Sequence, residues 1–333
     1  MAQSNGVGSE TIMKFRRFGR LGWQVSEIGY GMWGMGGWTG SDDVESQRSL
    51  DRAVELGCNF FDTAFAYGMG RSEKLLGDLV KRHPDRTLYI ATKVPPKNLK
   101  WPGRATTPIS DVFPADYIRE LTAKSLDNLG ADSIDLQQLH VWSDAWAQDE
   151  GWQRAVEDLK RQKMIKGFGI SVNRWEPANV IEALQTGLVD SVQVVYNIFD
   201  QNPEDELFPA CRTLDVAVIA RVPLDEGSLT GTLTHDSTWP EGDWRNIYFT
   251  PANLAETLAR VERVRDLLPH GVDLPQMALQ FVLAEPTVST VIPGMRKAAH
   301  VDKNLSASEK QPLSSSLIAA LRRHRWSRTT VIE

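Results

Sequence analysis

The sequence predicts an α/β fold of the (β/α)8 type, a single TIM barrel of eight parallel strands. Segments with strand character alternate eight times with segments of helical periodicity over about 280 residues, and no linker interrupts them. The two longest loops, at roughly 95–113 and 223–250, both follow strands, which places them on the carboxyl-terminal face of a barrel. We expect one barrel domain over residues 13–333, preceded by a mobile tail at residues 1–12.

A short hairpin, MKFRRFGRLG, comes first and is expected to plug the barrel floor. The strands that follow are rich in β-branched and apolar residues, as buried parallel strands are. In order they are VSEIGYGM, NFFDT, TLYIATKV, IDLQQLHVW, IKGFGIS, SVQVVYN, VAVIARV and VSTVIPG.

The first barrel helix lies in DDVESQRSLDRAVELGC, which has apolar residues at helical spacing. Asp42 and Glu45 give it a D-x-x-E start, and Gly57 is its stop. Later helices are predicted in RSEKLLGDLVKR, PADYIRELTAKSLDNLG, GWQRAVEDLKRQ, EPANVIEALQTG, EDELFPACRTL, ANLAETLARVERVRDLL, LPQMALQFVLAEP and KAAHVDKNLSA. Extra C-terminal helices, including SSSLIAALRRHR, are expected beyond the barrel.

Composition and charge narrow the class of partner. The net charge of -6 disfavours nucleic acid and anionic membranes as main partners, and a small-molecule substrate is expected instead. No apolar run reaches the roughly 18 residues of a membrane span, and the N-terminus does not resemble a signal peptide. Cys58 and Cys211 form no spaced cluster, which favours a reduced, cytoplasmic location. No zinc-type ligand spacing is present, and no metal is expected.

Two motifs in the sequence are misleading. GYGMWG has the G-x-G-x-x-G spacing of a Rossmann loop between Gly29 and Gly34, but the next helix starts only near Asp42. A Rossmann loop needs a helix that begins inside the glycine run. Tyr89 and Lys93 have the Y-x-x-x-K spacing of short-chain dehydrogenases. On a strand this spacing spans about 13 Å, so Tyr89 is interpreted as packing.

Three successive predicted strands end in an ionisable residue. These residues are Asp62, Lys93 and His140, and Tyr67 lies just beyond the first. Taken singly, Asp62 could cap a loop, Lys93 could be a solvated strand end, and His140 could be a satisfied core histidine. Because all four lie at the functional rim of a barrel, together they favour catalysis.

The chemistry of this set is proton transfer to a carbonyl. A tyrosine titrates near 10, and the ammonium of Lys93 would lower that pKa. Asp62 would supply the counter-charge that a buried ammonium needs. His140 would orient the carbonyl by a hydrogen bond, and Tyr67 would donate its proton as general acid while hydride reaches the carbonyl carbon.

The segments NFFDTAFAYGMGRSEKLLG, ATK, LQQLH, GFGIS and STVIPG closely resemble the aldo-keto reductases, from about residue 14 to residue 305. The resemblance implies Asp62, Tyr67, Lys93 and His140 as an intact catalytic tetrad. It also implies NADP(H) as cofactor, with NAD(H) possible, bound across the mouth of the barrel without a Rossmann fold.

The resemblance implies further cofactor contacts from six strand ends. The first strand end and Asp62 lie near the nicotinamide, and a serine, an interrupted asparagine and a glutamine hold the carboxamide. The loop after strand seven holds the pyrophosphate, and the segment after strand eight holds the adenosine 2'-phosphate. The residues are Gly31, Met32, Trp33, Asp62, Ser171, Asn173, Gln193, Leu224, Gly227, Ser228, Gly294, Met295, Arg296, His300 and Asn304.

Two positions depart from the family pattern. Arg221 stands where most relatives place an aromatic ring under the nicotinamide, and its charge should disfavour NADP+ relative to NADPH. His300 stands where many relatives have an arginine, so the 2'-phosphate contact should depend more on Arg296 and Lys297.

Trp33, Trp38 and Trp142 all follow predicted strands and are expected to line the substrate pocket. Flat aromatic walls suit a sugar ring or an aromatic carbonyl. The sequence therefore predicts an NADP(H)-dependent aldo-keto reductase acting on an aldehyde, ketone or sugar. Two alternatives stay open: an NAD-linked sugar or polyol dehydrogenase, and a cofactor-binding regulatory subunit of the same fold, like the β subunits of potassium channels.

Overall fold

A computed structural model describes residues 13–37 and 40–328. The tail predicted at residues 1–12 and the pocket residue Trp38 lie outside the described residues.

Eight parallel strands form a nearly closed barrel, which confirms the predicted fold class. Each strand is hydrogen-bonded to its neighbours in chain order, and parallel bridges Ile28–Val291 and Gly31–Gly294 link the first strand to the last. The strands are β3 (Tyr30–Gly31), β4 (Phe60–Asp62), β5 (Tyr89–Val94), β6 (Ile134–Leu139), β7 (Ile165–Ser171), β8 (Ser191–Val195), β9 (Ala217–Arg221) and β10 (Val288–Val291).

Two antiparallel strands, β1 (Phe15–Phe18) and β2 (Trp23–Ser26), form the hairpin plug, whose second strand begins just after the segment MKFRRFGRLG in which the hairpin was predicted. The rings of Phe18 and Trp23 stack with centroids 5.4 Å apart, and Trp23 stacks on Tyr89 at 5.1 Å. Tyr89 begins β5, so the plug closes the amino-terminal end of the barrel. The carboxyl ends of the strands therefore form the other, functional mouth.

Helices surround the barrel. In the first, the side chain of Asp42 accepts a hydrogen bond from the backbone N–H of Glu45, as its capping sequence predicts, and Leu50 and Val54 are buried. None of the helices in the described ranges is long and apolar enough to cross a bilayer. The helices are α1 (Asp43–Glu55), α2 (Arg71–Arg82), α3 (Ile109–Val112), α4 (Ala115–Leu129), α5 (Glu150–Arg161), α6 (Ile181–Gln185), α7 (Leu207–Leu214), α8 (Arg245–Tyr248), α9 (Pro251–Arg265), α10 (Leu274–Leu283), α11 (Ala298–Leu305) and α12 (Ser315–Arg322).

The first predicted strand, VSEIGYGM, is divided in the structure. Val25 and Ser26 belong to the plug, because they pair with Arg16 and Phe15, and only Tyr30–Gly31 joins the barrel. Each of the two long loops contains a short helix, α3 in the first and α8 in the second.

The glycines of GYGMWG are explained by strand packing. A Cβ on Gly29 would lie 2.9 Å from the carbonyl oxygen of Phe60 and 3.0 Å from Oγ1 of Thr290. A Cβ on Gly31 would lie 2.7 Å from the carbonyl oxygen of Ile292. These three distances are too short for ordinary packing of a side-chain carbon, so glycine is needed where Gly29 and Gly31 approach Phe60, Thr290 and Ile292.

We predict that Gly29→Ala lowers the free energy of unfolding by about 1–3 kcal/mol, because the new methyl group overpacks against backbone that cannot move away. Urea denaturation measures the change. The control is Gly294→Ala, where no described atom lies within 4 Å of the added Cβ. Equal stability of the two variants would contradict the packing explanation.

Candidate active site

The barrel interior has an apolar layer beneath a polar one. Alternate residues of a strand point to the same face, so residues two apart on each strand share the interior. Phe60, Ala91, Leu136 and Ile219 cluster with Phe18 of the plug. Two positions further along the same strands, the interior residues are Asp62, Lys93, Gln138 and Arg221.

Asp62 and Lys93 form a buried ion pair in the polar layer. Nζ of Lys93 lies 2.5 Å from Oδ1 of Asp62 and donates a second hydrogen bond of 2.7 Å to the carbonyl oxygen of Thr63. The side chains are 0% and 3% exposed. Such a pair is tolerated in a barrel core only when both charges are paired and hydrogen-bonded.

Two glutamines complete the hydrogen bonding of Asp62. Nε2 of Gln193 donates to Oδ2 of Asp62 at 2.7 Å, and Nε2 of Gln138 donates to the same oxygen at 3.1 Å. The amide of Gln193, predicted as a cofactor contact, is thus also a partner of Asp62. Sequence reasoning missed Gln138, although the paired polar residues of LQQL in an apolar strand were a signal. Gly169 leaves room for it, since a Cβ there would lie 3.1 Å from Cγ of Gln138.

Tyr67 lies on the turn that follows β4, where its backbone N–H donates to the carbonyl oxygen of Ala64. Its ring centroid is 5.1 Å from Nζ of Lys93. Burial raises the pKa of Tyr67 above its ordinary value, while Lys93 opposes this rise through its charge and a hydrogen bond. The sequence expectation of a net lowered pKa therefore differs from the structure, because desolvation outweighs the ammonium. The phenol is protonated at neutral pH.

His140 lies beside Tyr67, with ring centroids 5.8 Å apart. Burial, followed by the charges of Lys93 and Arg221, lowers the pKa of His140 well below its ordinary value. The imidazole is therefore neutral at pH 7 and carries one N–H donor. Its Nδ1 is buried and has no hydrogen-bond partner among the described residues.

Strands β7 and β9 contribute the next part of the mouth. Ser171 is buried at the end of β7, while the amide of Asn173, further along, donates to Glu176 at 3.1 Å. The guanidinium of Arg221 donates to the carbonyl oxygen of Val172 at 3.2 Å, and its buried Nε has no partner within the described chain. Burial lowers the pKa of Arg221.

The β9 loop (residues 222–231) contains Leu224, Gly227 and Ser228, which the resemblance assigns to the pyrophosphate. Gly227 has φ +103°, and no described atom lies within 4 Å of the Cβ position. The Ser228 hydroxyl donates to the carboxylate of Asp225. The loop thus exposes its backbone at Gly227, where no side chain intervenes, while the hydroxyl of Ser228 is already hydrogen-bonded to Asp225.

The segment after β10 contains both exposed and buried residues. Gly294 is exposed, whereas Met295 and Asn304 are buried. The carbonyl oxygen of Met295 accepts hydrogen bonds from the hydroxyls of Tyr30 and Ser49.

Arg296 and His300 lie in the same segment, Arg296 partly buried and His300 exposed. A Cβ on Gly34 would lie 2.5 Å from Cδ of Arg296, so glycine there makes room for the arginine stem. Partial burial, then Lys297 and Arg296, lower the pKa of His300.

Of the tryptophans expected to line the pocket, Trp142 is the one that the structure places elsewhere. Trp33 is 44% exposed at the mouth, with Met32 buried beside it. Trp142 is 1% exposed and packs edge-on against Trp146 and Trp152 at 5.7 and 5.3 Å, which places it in the core rather than in an open pocket. Its place near the tetrad is taken by Trp101, 6.0 Å from His140 and 48% exposed. Sequence reasoning missed Trp101, although the long loop after β5 was the signal.

These residues fit a nicotinamide dinucleotide. Bare backbone at Gly227 and Gly294 leaves space for close approach of phosphates. Nε of Arg221 and Nδ1 of His140 are buried polar atoms without protein partners in the described ranges, so hydrogen bonds from a bound molecule would stabilise them.

Comparisons with known proteins point in one direction. The family model described as "Aldo/keto reductase family" matches residues 27–325. An uncharacterised oxidoreductase of Bacillus subtilis is 30% identical over 314 residues, covering 94% of this chain and 96% of the relative. An NADH-specific methylglyoxal reductase of Escherichia coli is 29% identical over 301 residues, covering 85% of this chain and 90% of the relative. The holo form of an aldo-keto reductase from Bacillus halodurans superposes with a TM-score of 0.75 at 28% identity, covering 96% of this chain and 99% of that structure.

We predict that Lys93→Met lowers the free energy of unfolding by about 3–5 kcal/mol, because it leaves Asp62 buried without its partner. The double variant Lys93→Met/Asp62→Asn should recover most of the loss, since it removes both charges and keeps an acceptor oxygen for Gln138 and Gln193. Urea denaturation of the cofactor-free protein measures both. A cost below about 1 kcal/mol for the single variant, as for an exposed pair, would contradict the buried-pair account.

Proposed function

The chain belongs to the aldo/keto reductase family, and on that premise we propose that it transfers a hydride between NADP(H) and the carbonyl or alcohol group of a small substrate. The observation that carries the proposal is the buried Asp62–Lys93 pair beneath Tyr67, with the neutral imidazole of His140 beside it. This arrangement holds one proton at a phenol next to a site where a carbonyl oxygen can accept it.

The bound cofactor supplies or accepts the hydride. Tyr67 donates its phenolic proton to the carbonyl oxygen during reduction, and Lys93 stabilises the phenolate that forms. His140 donates its N–H to the same oxygen and orients the substrate. In the oxidative direction the phenolate of Tyr67 takes the hydroxyl proton. Asp62 holds the Lys93 ammonium in place.

The chain's own residues would hold the cofactor in an extended course across the mouth. Ser171, Asn173 and Gln193 would bind the carboxamide, and the plane of Arg221 would lie against the nicotinamide. The bare backbone of the β9 loop would receive the pyrophosphate, and Arg296 with Lys297 would bind the 2'-phosphate by charge-assisted hydrogen bonds.

An NAD-linked enzyme is the second candidate. The similarity to an NADH-specific methylglyoxal reductase favours it. So does His300, because its lowered pKa leaves it neutral at pH 7 and unable to bind a phosphate as a cation.

The substrate class and cofactor are tested together by a panel of aldehydes, ketones, sugars and polyols. Nicotinamide absorbance is followed with NADPH and NADH, and in reverse with NADP+ and NAD+. Trp33 and Trp101 favour carbonyls that carry a ring over compact aliphatic ones. Absence of turnover with every substrate, despite cofactor binding, would favour a regulatory subunit.

We predict that Tyr67→Phe lowers kcat by about 10²–10⁴-fold, because it removes the general acid. Cofactor dissociation constants, measured by fluorescence, should stay within about twofold of wild type, since the hydroxyl acts in the transition state. Tyr117→Phe, on the partly buried face of α4, is the matched control and should keep full turnover. Wild-type kcat in Tyr67→Phe would refute the assignment.

We predict that NADPH binds more tightly than NADH and that Arg296→Ala weakens NADPH binding while leaving NADH nearly unchanged. The preference should shrink with salt, because exposed charges are screened within about 10 Å at 0.1 M. Protonation of His300 would strengthen the preference for NADPH. Because the pKa of His300 is lowered, we expect this strengthening only below the pH range in which histidine ordinarily titrates. Arg263→Ala, an exposed arginine on α9, is the control. Equal wild-type affinities at low salt would favour the NAD-linked enzyme.

A further inference from the structure

The last described residues of the chain, which we call the strap (residues 325–328), dock on the β9 loop. Nη1 and Nη2 of Arg328 donate to Oδ1 and Oδ2 of Asp225 at 2.8 and 2.6 Å. Both side chains are buried, 1% and 0% exposed. The guanidinium also lies over the rings of Tyr248 and Trp326, at 5.0 and 4.3 Å from their centroids. This bidentate contact joins the last described residues to the β9 loop.

The strap is anchored independently of that contact. The backbone N–H of Trp326 donates to the carbonyl oxygen of Phe199 at 2.9 Å, and the ring of Trp326 packs edge-on against Phe199. Arg325 hydrogen-bonds to Asn202 and forms an ion pair with Asp205. Arg328 therefore projects from a fixed support, which lets it hold the loop in one place.

The β9 loop needs such support because its backbone is strained. Asp225 and Glu226 have φ of +47° and +52°, the left-handed region that non-glycine residues rarely adopt, and Gly227 follows at +103°. Each such residue costs on the order of 1–3 kcal/mol and persists only where its surroundings fix it. The contacts to Asp225 are what fixes this turn.

A second arginine, Arg174, also contacts this turn. Arg174, in the loop after β7, donates to Asp225 at 3.0 Å and to Glu226 at 3.3 Å. The hydroxyl of Tyr248 also donates to Asp225, at 2.8 Å. Burial alone would raise the pKa of Asp225, but Arg328 and Arg174 outweigh it and lower that pKa. Asp225 is thus a carboxylate held between two guanidinium groups.

We propose that Arg328 is a positioning residue for the dinucleotide, which fixes the β9 loop through Asp225 and so sets how fast the cofactor leaves. The inference rests on the proposed function, in which Leu224, Gly227 and Ser228 receive the pyrophosphate. Arg328 contacts no reacting atom in this account.

Two physical effects should follow when the charge of Arg328 is lost. The strained turn at Asp225 and Glu226 loses a bidentate contact and relaxes toward ordinary backbone angles. Asp225 also loses one of its two compensating cations, so its charge repels a pyrophosphate at the loop more strongly. Both effects weaken cofactor binding without touching the proton transfer at Tyr67.

The test uses Arg328→Gln and Arg328→Lys in the full chain. Stopped-flow fluorescence gives the dissociation rate constants of NADPH and NADH, and amide hydrogen exchange of residues 222–231 is measured in cofactor-free protein. Arg17→Gln is the matched control, since Arg17 forms a bidentate pair with exposed Asp215 at the plug. A single-turnover measurement at saturating cofactor gives the hydride-transfer rate.

We expect the cofactor to dissociate about tenfold faster from Arg328→Gln. The increase should be smaller in Arg328→Lys, because lysine keeps the positive charge but cannot make the bidentate hydrogen bonds to Asp225. Exchange of residues 222–231 should rise, and the hydride-transfer rate should stay within about twofold. Arg17→Gln should match wild type in every readout. If Arg328→Gln does not fold, Arg328→Lys decides alone: faster dissociation with raised loop exchange supports the role.

Wild-type dissociation rates and loop exchange in the folded Arg328 variants would overturn the positioning role and leave the proposed function intact. The positioning role would also be overturned if the hydride-transfer rate fell by the same factor as the cofactor affinity. Arg328 would then act on the hydride-transfer step itself. Wild-type protein that binds neither NADPH nor NADH would instead refute the proposed function.

Discussion

The ion pair between Asp62 and Lys93 is the constraint on which the rest of the site depends. Two opposite charges lie inside a barrel, above an apolar layer, and a buried charge without a partner would cost several kcal/mol. Gln138 and Gln193 satisfy the remaining oxygen of Asp62, which fixes the carboxylate. Because the ammonium is held this way, it can act on Tyr67 from a fixed position.

Small residues and the plug make this arrangement possible. A Cβ on Gly167 would lie 2.6 Å from Cδ1 of Leu21, so glycine in β7 admits the plug, while Gly169 on the same strand admits Gln138. The plug fills the amino-terminal end with apolar groups and leaves the polar layer open only at the carboxyl-terminal mouth. The same strands therefore supply both the stability of the barrel and the placement of its ionisable groups.

Much of this was predictable because it depends on local pattern. Alternation predicted the barrel, and the strand ends at Asp62, Lys93 and His140 predicted the cluster. The sign of the shift in the Tyr67 pKa was not predictable, since desolvation depends on atoms from several loops. The core position of Trp142 was not predictable either, because it depends on packing against Trp146 and Trp152, brought in by later segments. The link from Arg328 to Asp225 spans 103 residues, a separation at which sequence spacing carries no information.

The central claim is that Lys93 counteracts the effect of burial on the proton of Tyr67. A titration of Tyr67 by 13C NMR of labelled tyrosine, in wild type and in Lys93→Met, tests it most directly, with Tyr67→Phe to assign the signal. We predict a wild-type midpoint above the ordinary value of about 10 and a still higher midpoint in Lys93→Met, since the ammonium is gone and Asp62 is unbalanced. A midpoint that is unchanged or lower in Lys93→Met would contradict the account.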